Sequence, residues 1–199
     1  MKRWDIINAL MKSNNLKSFL EIGLDSGICR DKVNAEYKVS VDPDERTNNP
    51  TYLMTSDEFF AQNKETFDLV FVDGLHHAEQ VLRDIENSLE CLNDGGVIVC
   101  HDMLPNMEIV QRVPRENAVW TGDCWKAWAK LRGTRKDLSM YIVESDWGVG
   151  VIQKGKQKIN KELDLPMSKY DWEFFCMHRD NFITKSTNEF IENLSPVIH

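Results

Sequence analysis

A short apolar run that stops at a glycine, a second glycine four residues on, and another apolar run that stops at an acid constrain this chain more than any other feature. They lie between Lys17 and Asp44: Phe19, Leu20 and Ile22 lead to Gly23, Gly27 follows, and Val39 to Val41 end at Asp42. Short apolar runs bounded by turn residues read as buried strands, and the stretch between these two is long enough for a crossover helix, so the unit is a parallel β-α-β. A ligand across the end of the first strand needs the backbone close to it, and a Cβ at Gly23 or Gly27 is expected to occupy that space. Asp42 stands where a carboxylate accepts hydrogen bonds from ribose hydroxyls. Gly23-Leu-Asp-Ser-Gly27 lacks the three-glycine cradle of a pyrophosphate site, so a ligand with ribose and adenine but no phosphates fits better. Glu21 adds an acid where a cationic amino-acid tail can be held.

Along the chain, Trp4, Ile7, Leu10 and Met11 recur at helical spacing and predict an N-terminal helix over 1–15 that packs on the sheet or over the ligand mouth. Thr51 to Thr55 read as a third strand, and Ser56-Asp57 opens a helix with acids in its first turn. Residues at that place are candidates for adenine contacts or for a plain helix cap. Phe67 to Val72 is a buried strand ending in Asp73-Gly74-Leu75-His76-His77, and Ala78, Val81, Leu82, Ile85, Leu89 and Leu92 mark one helix face. Asn93 to Gly96 reads as a turn, and Val97 to Cys100 as a strand ending in His101-Asp102. Neighbouring strands lie about 4.8 Å apart, so Asp73 and Asp102 are expected to converge on one ligand or ion at the carboxyl edge of the sheet.

The 103–122 stretch has no clean period and reads as a substrate or lid loop. Trp125 and Trp128 share a helix face that belongs in the core. Leu138 to Glu144 and Val149 to Gln153 are two strands joined by Ser145-Asp146-Trp147-Gly148, short enough for an antiparallel hairpin. A basic connector follows, and 155–199 reads as a helical extension closed by two short helices.

At 199 residues, 42% hydrophobic and 28% charged, the chain suits one domain with a substantial core. The formal charge of −8 disfavours a broad phosphate-binding surface, so nucleic acid is not the expected partner. Five cysteines without a Cys-x-x-Cys pair indicate neither a disulfide framework nor a zinc ribbon. No run approaches a membrane span and no signal-length apolar core opens the chain, so a soluble, cytoplasmic protein is expected. The oligomeric state is not legible.

With Glu21-x-Gly23-x-x-x-Gly27, Asp42, Val72-Asp73-Gly74-Leu75-His76, Gly95-Gly96, His101-Asp102, Trp125-Lys126-Ala127-Trp128 and Trp147-Gly148-Val149-Gly150, the chain resembles the class I S-adenosylmethionine-dependent methyltransferases often met near bacterial polysaccharide and sugar-modification genes. The likeness runs from about Leu16 to Gln153 and lies in the combination of motifs. It implies a Rossmann-like, seven-stranded, mostly parallel sheet with a terminal antiparallel hairpin, helices on both faces, and one methyltransferase domain over 1–199. S-adenosylmethionine would lie on Glu21, Gly23, Gly27, Asp42, Ser56, Asp57, Asp73 and Gly74. Asp73 and Asp102 also resemble the acids that hold Mg2+ in metal-dependent O-methyltransferases, although Met103 stands where a second oxygen ligand, commonly Asn, follows in those enzymes. His76, His77 and His101 are candidate bases and Asp102 a catalytic partner, because a hydroxyl acceptor must lose its proton and imidazole titrates near neutrality. The acceptor is expected to be a small molecule or glycan. A nicotinamide-dependent oxidoreductase, disfavoured by the missing phosphate motif and by the hairpin, and a non-catalytic adenosyl-binding module remain as alternatives.

Overall fold

The computed structural model describes residues 1–194, and residues 195–199 of the expected extension lie outside it. In chain order the elements are α1 (Arg3–Ser13), β1 (Ser18–Ile22), α2 (Ile28–Lys32), β2 (Tyr37–Asp42), β3 (Tyr52–Leu53), α3 (Ser56–Gln62), β4 (Phe67–Val72), α4 (Ala78–Glu90), β5 (Leu92–Cys100), α5 (Glu108–Gln111), α6 (Trp125–Thr134), β6 (Leu138–Val143), β7 (Val149–Lys154), α7 (Trp172–His178), β8 (Thr184–Lys185) and α8 (Thr187–Leu194). One sheet takes the strands in the order β3-β2-β1-β4-β5-β7-β6-β8. The β1 to β5 pairings are all parallel, and β7 runs antiparallel to both β5 and β6. This is the Rossmann-like sheet with its antiparallel hairpin.

The chain leaves β1 towards β2 and β3, then returns to place β4 on the other side of β1. The strand order therefore reverses between β1 and β4, and ligands bind at such a switch point outside the carboxyl ends. Gly23 and Asp73 follow those two strands directly, and Asp73 N donates to the Ile22 carbonyl at 2.9 Å.

Successive strand residues point to opposite faces, so Leu20, Val70 and Ile98 face one layer while Phe19, Leu69 and Val97 face the other. Trp125 and Trp128 of α6 fill the first layer, each fully buried, as their spacing predicts. Ile6, Ile7, Leu10 and Met11 of α1, with Phe190 of α8, close the second. An 11-residue helix is marginal alone, and burial of about 1.5–3 kcal/mol per large apolar side chain is what holds α1 on the sheet.

Three local expectations change. The sheet has eight strands among the described residues, because the two-residue β8 adds to β6 within the C-terminal extension. Ile142 N donates to Ile183 O and Glu144 N to Lys185 O, both at 2.9 Å. Two residues cannot announce a strand period. Leu92, expected on the helix face, and the segment Asn93 to Gly96, expected as a turn, are both part of β5, where a register shift against β4 absorbs the left-handed Gly95. The third strand shrinks to Tyr52–Leu53.

Candidate active site

Two adjoining cavities open at the switch point. The first, about 440 Å³, is lined by Asp42 and Pro43 after β2, Ser56 and Asp57 at the start of α3, and Gln80 of α4. The second, about 540 Å³, holds Glu21, His101, Asp102 and Asp146, with Lys2 and Arg3 from the N-terminus and Trp120 from the 103–122 segment. Gly23, Asp25, Asp73, Gly74, Leu75 and His76 line both. A molecule laid across Gly23 would therefore have one end among polar groups suited to a nucleoside and the other among carboxylates and imidazoles. A larger hollow of about 920 Å³ lies at Arg132, Tyr141 and the 156–162 segment, away from these strand ends.

The glycines owe their identity to the protein itself. A β-carbon on Gly23 would run into the Asp73 carbonyl and lie 2.5 Å from the Gly74 Cα, at a φ of +88°. Gly27 lines neither cavity. It caps α2 at φ +75°, and its missing Cβ makes room for Arg30 and Asn48 side chains 3.1 Å away. Close backbone packing is the steric reason at Gly23, and the left-handed φ with neighbouring side chains is the reason at Gly27.

Asp42 is committed to the loop. One carboxylate oxygen accepts from Leu24 N (2.8 Å) and Asp25 N (3.2 Å), the other from Asp44 N (2.9 Å). A carboxylate offers about four acceptor sites, so roughly one is left for a ribose hydroxyl. The cap of α3 is Thr55, whose hydroxyl accepts from Glu58 N while Glu58 reaches back to Thr55 N. Ser56 and Asp57 are thus free of capping and share Gln80 Nε2 at 3.1 and 3.0 Å.

Glu21 is buried and its Oε2 has no hydrogen-bond partner. Burial first, and then the charge of Asp73, push its carboxyl up to about 8. Such a group is poised for a cation.

The densest chemistry follows β4 and β5. Asp73 Oδ1 lies 3.3 Å from His101 Nδ1 and 3.4 Å from His76 Nε2. Asp102, in a left-handed conformation at φ +64°, turns one oxygen to His76 Nδ1 and the other to His101 Nδ1, each at 3.2 Å. Asp146 Oδ2 stands 3.4 Å from His101 Nε2. Burial alone would raise the Asp73 carboxyl, but His101 and His76 outweigh it and hold the group well below the usual range. Burial likewise opposes charge on His101, yet three carboxylates around the ring raise it well above an ordinary imidazole. His76 is raised by Asp73 and Asp102 against its own burial and against His101. The carboxylates around His101 thus favour its charged form, and His76, at the junction of the two cavities, is the imidazole a substrate can reach.

Residues 14–103 match the family model for a methyltransferase domain. Over that stretch, a little under half of its length, the chain is similar to a methyltransferase domain. Its fold is shared with the O-methyltransferase TomG of Streptomyces achromogenes, involved in tomaymycin synthesis and solved with S-adenosylmethionine, at a TM-score of 0.59 and 12% identity over 77% of this chain and 79% of that one. An O-methyltransferase of Bacillus cereus in complex with S-adenosylhomocysteine gives 0.53 and 14%, over 75% and 78%. An S-adenosylhomocysteine-bound methyltransferase of Podospora anserina gives 0.52 and 20%, over 77% of each chain. No curated protein matches the chain. Among its described residues no helix is long and apolar enough to cross a membrane.

Of the expected site residues, the two cavities bring together all but Gly27 and His77, and His77 stands at the N-cap of α4. Sequence reasoning missed Arg3, Asp146 and Trp120. Asp146 had a signal: β7 pairs antiparallel with β5 at Cys100 and Gly150, so the turn before β7 must lie beside His101-Asp102. Trp120 had none. Its ring stacks on His76 at 5.4 Å, and the segment is pressed home at Gly122, where a β-carbon would overlap the His76 carbonyl.

Proposed function

We propose that the protein methylates a hydroxyl oxygen of a small acceptor, a sugar or another alcohol, using S-adenosylmethionine. One observation carries this reading: the adenosyl-suited cavity and the acid-imidazole cavity share His76, Asp73 and Gly23, so the donor's methyl would face the imidazole. Adenine would lie by Ser56 and Asp57, ribose by Asp42, and the amino-acid tail by Glu21. The acceptor would enter beneath Trp120. His76 takes the hydroxyl proton as the oxygen attacks the methyl carbon. The carbon-sulfur bond breaks with its electron pair going to sulfur, which leaves a neutral thioether. Asp102, beside Nδ1, would orient the ring, Nε2 would take the proton, and Asp73 beside Nε2 would stabilise the protonated form.

A second version has a specific support. Ligand atoms of Asp73, His76 and Asp102 lie within 4.8 Å of one another, and His76 Nδ1 is buried without a hydrogen-bond partner, so the three fit a divalent cation. Bound there, a cation such as Mg2+ would lower the pKa of an acceptor hydroxyl. Two carboxylates with one imidazole also suit Mn2+ or Fe2+. In this version His76 is a ligand and not the base.

Transfer of labelled methyl from S-adenosylmethionine to a panel of sugars and small alcohols, with and without chelator, tests the reading. Labelled ether product supports it. Turnover that survives the chelator retains His76 as base, and turnover lost to the chelator and restored by added cation selects the second version. Binding of the donor with no transfer to any hydroxyl would overturn O-methylation.

A further inference from the structure

Arg3, the first residue of α1, turns its guanidinium into the acceptor-side cavity. Its backbone N and Nη1 bond Asp146 Oδ2 at 3.0 and 3.2 Å, and Nε stands 3.5 Å from Asp73 Oδ2. Nε has no hydrogen-bond partner, and among the described residues Nη2 makes none. Across the same cavity lies Glu21, almost fully buried, with its own oxygen unpartnered. The loop Leu24 to Ser26 lines the wall beside them.

The other cations on this cavity are spoken for. Lys2 is exposed and its Nζ sits on Asp146 Oδ1 at 2.8 Å. Arg115 gives its Nε and Nη2 to the carbonyls of Asn117 and Ala118 and lies over the Trp120 ring, on the rim. Arg3 alone combines a fixed position with unspent donors. With Nη1 on Asp146 and Nε facing Asp73, Nη2 is the donor left for a further carboxylate.

We propose that Arg3 binds the α-carboxylate of the methyl donor, opposite Glu21, which takes the α-ammonium, so that the amino-acid end is clamped between the N-terminal helix and β1. This rests on the S-adenosylmethionine reading above. It assigns the N-terminal helix a part in donor selection, with Asp146 as the residue that positions Arg3. Adenosyl ligands that lack the carboxylate lose the Arg3 contact and keep the rest.

Calorimetric titration of wild type, Arg3→Ala and Arg3→Lys with three ligands tests this: S-adenosylhomocysteine, decarboxylated S-adenosylmethionine and 5′-methylthioadenosine. Loss of a charge-assisted contact predicts that Arg3→Ala binds S-adenosylhomocysteine about ten- to a hundredfold more weakly. The same variant should bind the two carboxylate-free ligands as wild type does, and Arg3→Lys should fall between. Equal weakening for all three ligands would mean that Arg3 only supports the fold, and unchanged S-adenosylhomocysteine affinity would mean that another group holds the carboxylate. Either result overturns the proposal while leaving the donor reading intact. A wild-type protein that binds none of the three overturns the donor reading and this proposal with it.

Discussion

Gly23 and Asp73 meet backbone to backbone across the switch point, so closely that no β-carbon fits on Gly23 beneath the Asp73 carbonyl. The turn after β1 and the turn after β4 are therefore one packed unit. Gly23→Ala adds an atom where backbone stands and imposes a left-handed φ on a residue with a side chain. We expect a loss of about 3 kcal/mol or more in unfolding free energy, with donor binding abolished in whatever remains folded. Gly95→Ala is the control. It has a similar φ of +76° but nothing within 4 Å of the added carbon, and should cost only about 1–2 kcal/mol by chemical denaturation. Equal losses would mean that φ, and not the Asp73 contact, sets the requirement.

Glu21 makes stability and donor binding oppose each other. Its carboxyl is raised from the ordinary 4.5 to about 8, with Asp73 disfavouring its charge and Cys29, Arg30 and Arg3 favouring it. The folded protein keeps that proton up to about pH 8, while the unfolded chain releases it above 4.5. Stability from this group is therefore greatest below 4.5 and falls as pH rises to about 8, by on the order of a few kcal/mol. Glu21→Gln should flatten this part of the stability profile, measured as Tm against pH, and leave the empty protein more stable at the alkaline end. The same variant should weaken S-adenosylhomocysteine binding, because the amide cannot meet an ammonium with charge. In wild type that affinity should increase as pH rises towards 8, as binding expels the Glu21 proton.

The parts of this site that the sequence made legible are those carried by strand ends. An apolar run that stops at Gly23, Asp42, Asp73 or His101 tells both where a strand is and where its carboxyl end points, and a parallel sheet gathers those ends along one edge. Arg3 and Asp146 escape that logic, since they meet each other 143 residues apart in the chain. Neither stands at the carboxyl end of a parallel strand, since Arg3 opens α1 and Asp146 lies in the turn between β6 and β7. Gly27 is the converse case: its place in the motif was legible, but its job of capping α2 depends on Arg30 and Asn48 packing against it. β8 and the 103–122 segment carried no period, and their placement rests on contacts that only the folded sheet supplies.

His76→Asn should keep the fold and S-adenosylhomocysteine affinity within about twofold while lowering kcat by about 10²–10⁴, the usual worth of a general base. The wild-type profile carries a second signature. Asp73 and Asp102 raise His76 above 6.5 while His101 and burial lower it, and the net direction is up. A base must be neutral to act, so kcat should rise with pH through a midpoint above 6.5 and level off on the alkaline side. A steep loss of kcat with no change in the pH profile of the residual activity would assign the titration to another group.

Trp120 holds the 103–122 segment against the site. Its ring stacks on His76 at 5.4 Å and 20°, its Nε1 donates to the Arg112 carbonyl at 2.7 Å, and Thr121 N closes the segment on Val110 O at 2.8 Å. Trp120 lines the acceptor-side cavity and not the adenosyl side. Stacked ring pairs contribute about 0.5–1.5 kcal/mol beyond burial, so Trp120→Ala should raise the acceptor KM and lower kcat by a combined factor of about ten and leave S-adenosylhomocysteine affinity unchanged. Trp120→Phe separates the two contacts, since it keeps a ring over His76 and removes the bond to Arg112. Phe close to wild type with Ala impaired assigns the effect to the stack on the imidazole. If both variants lose the same amount, the bond that ties the segment to itself is what matters, and the 103–122 segment acts by closing over the acceptor without orienting His76.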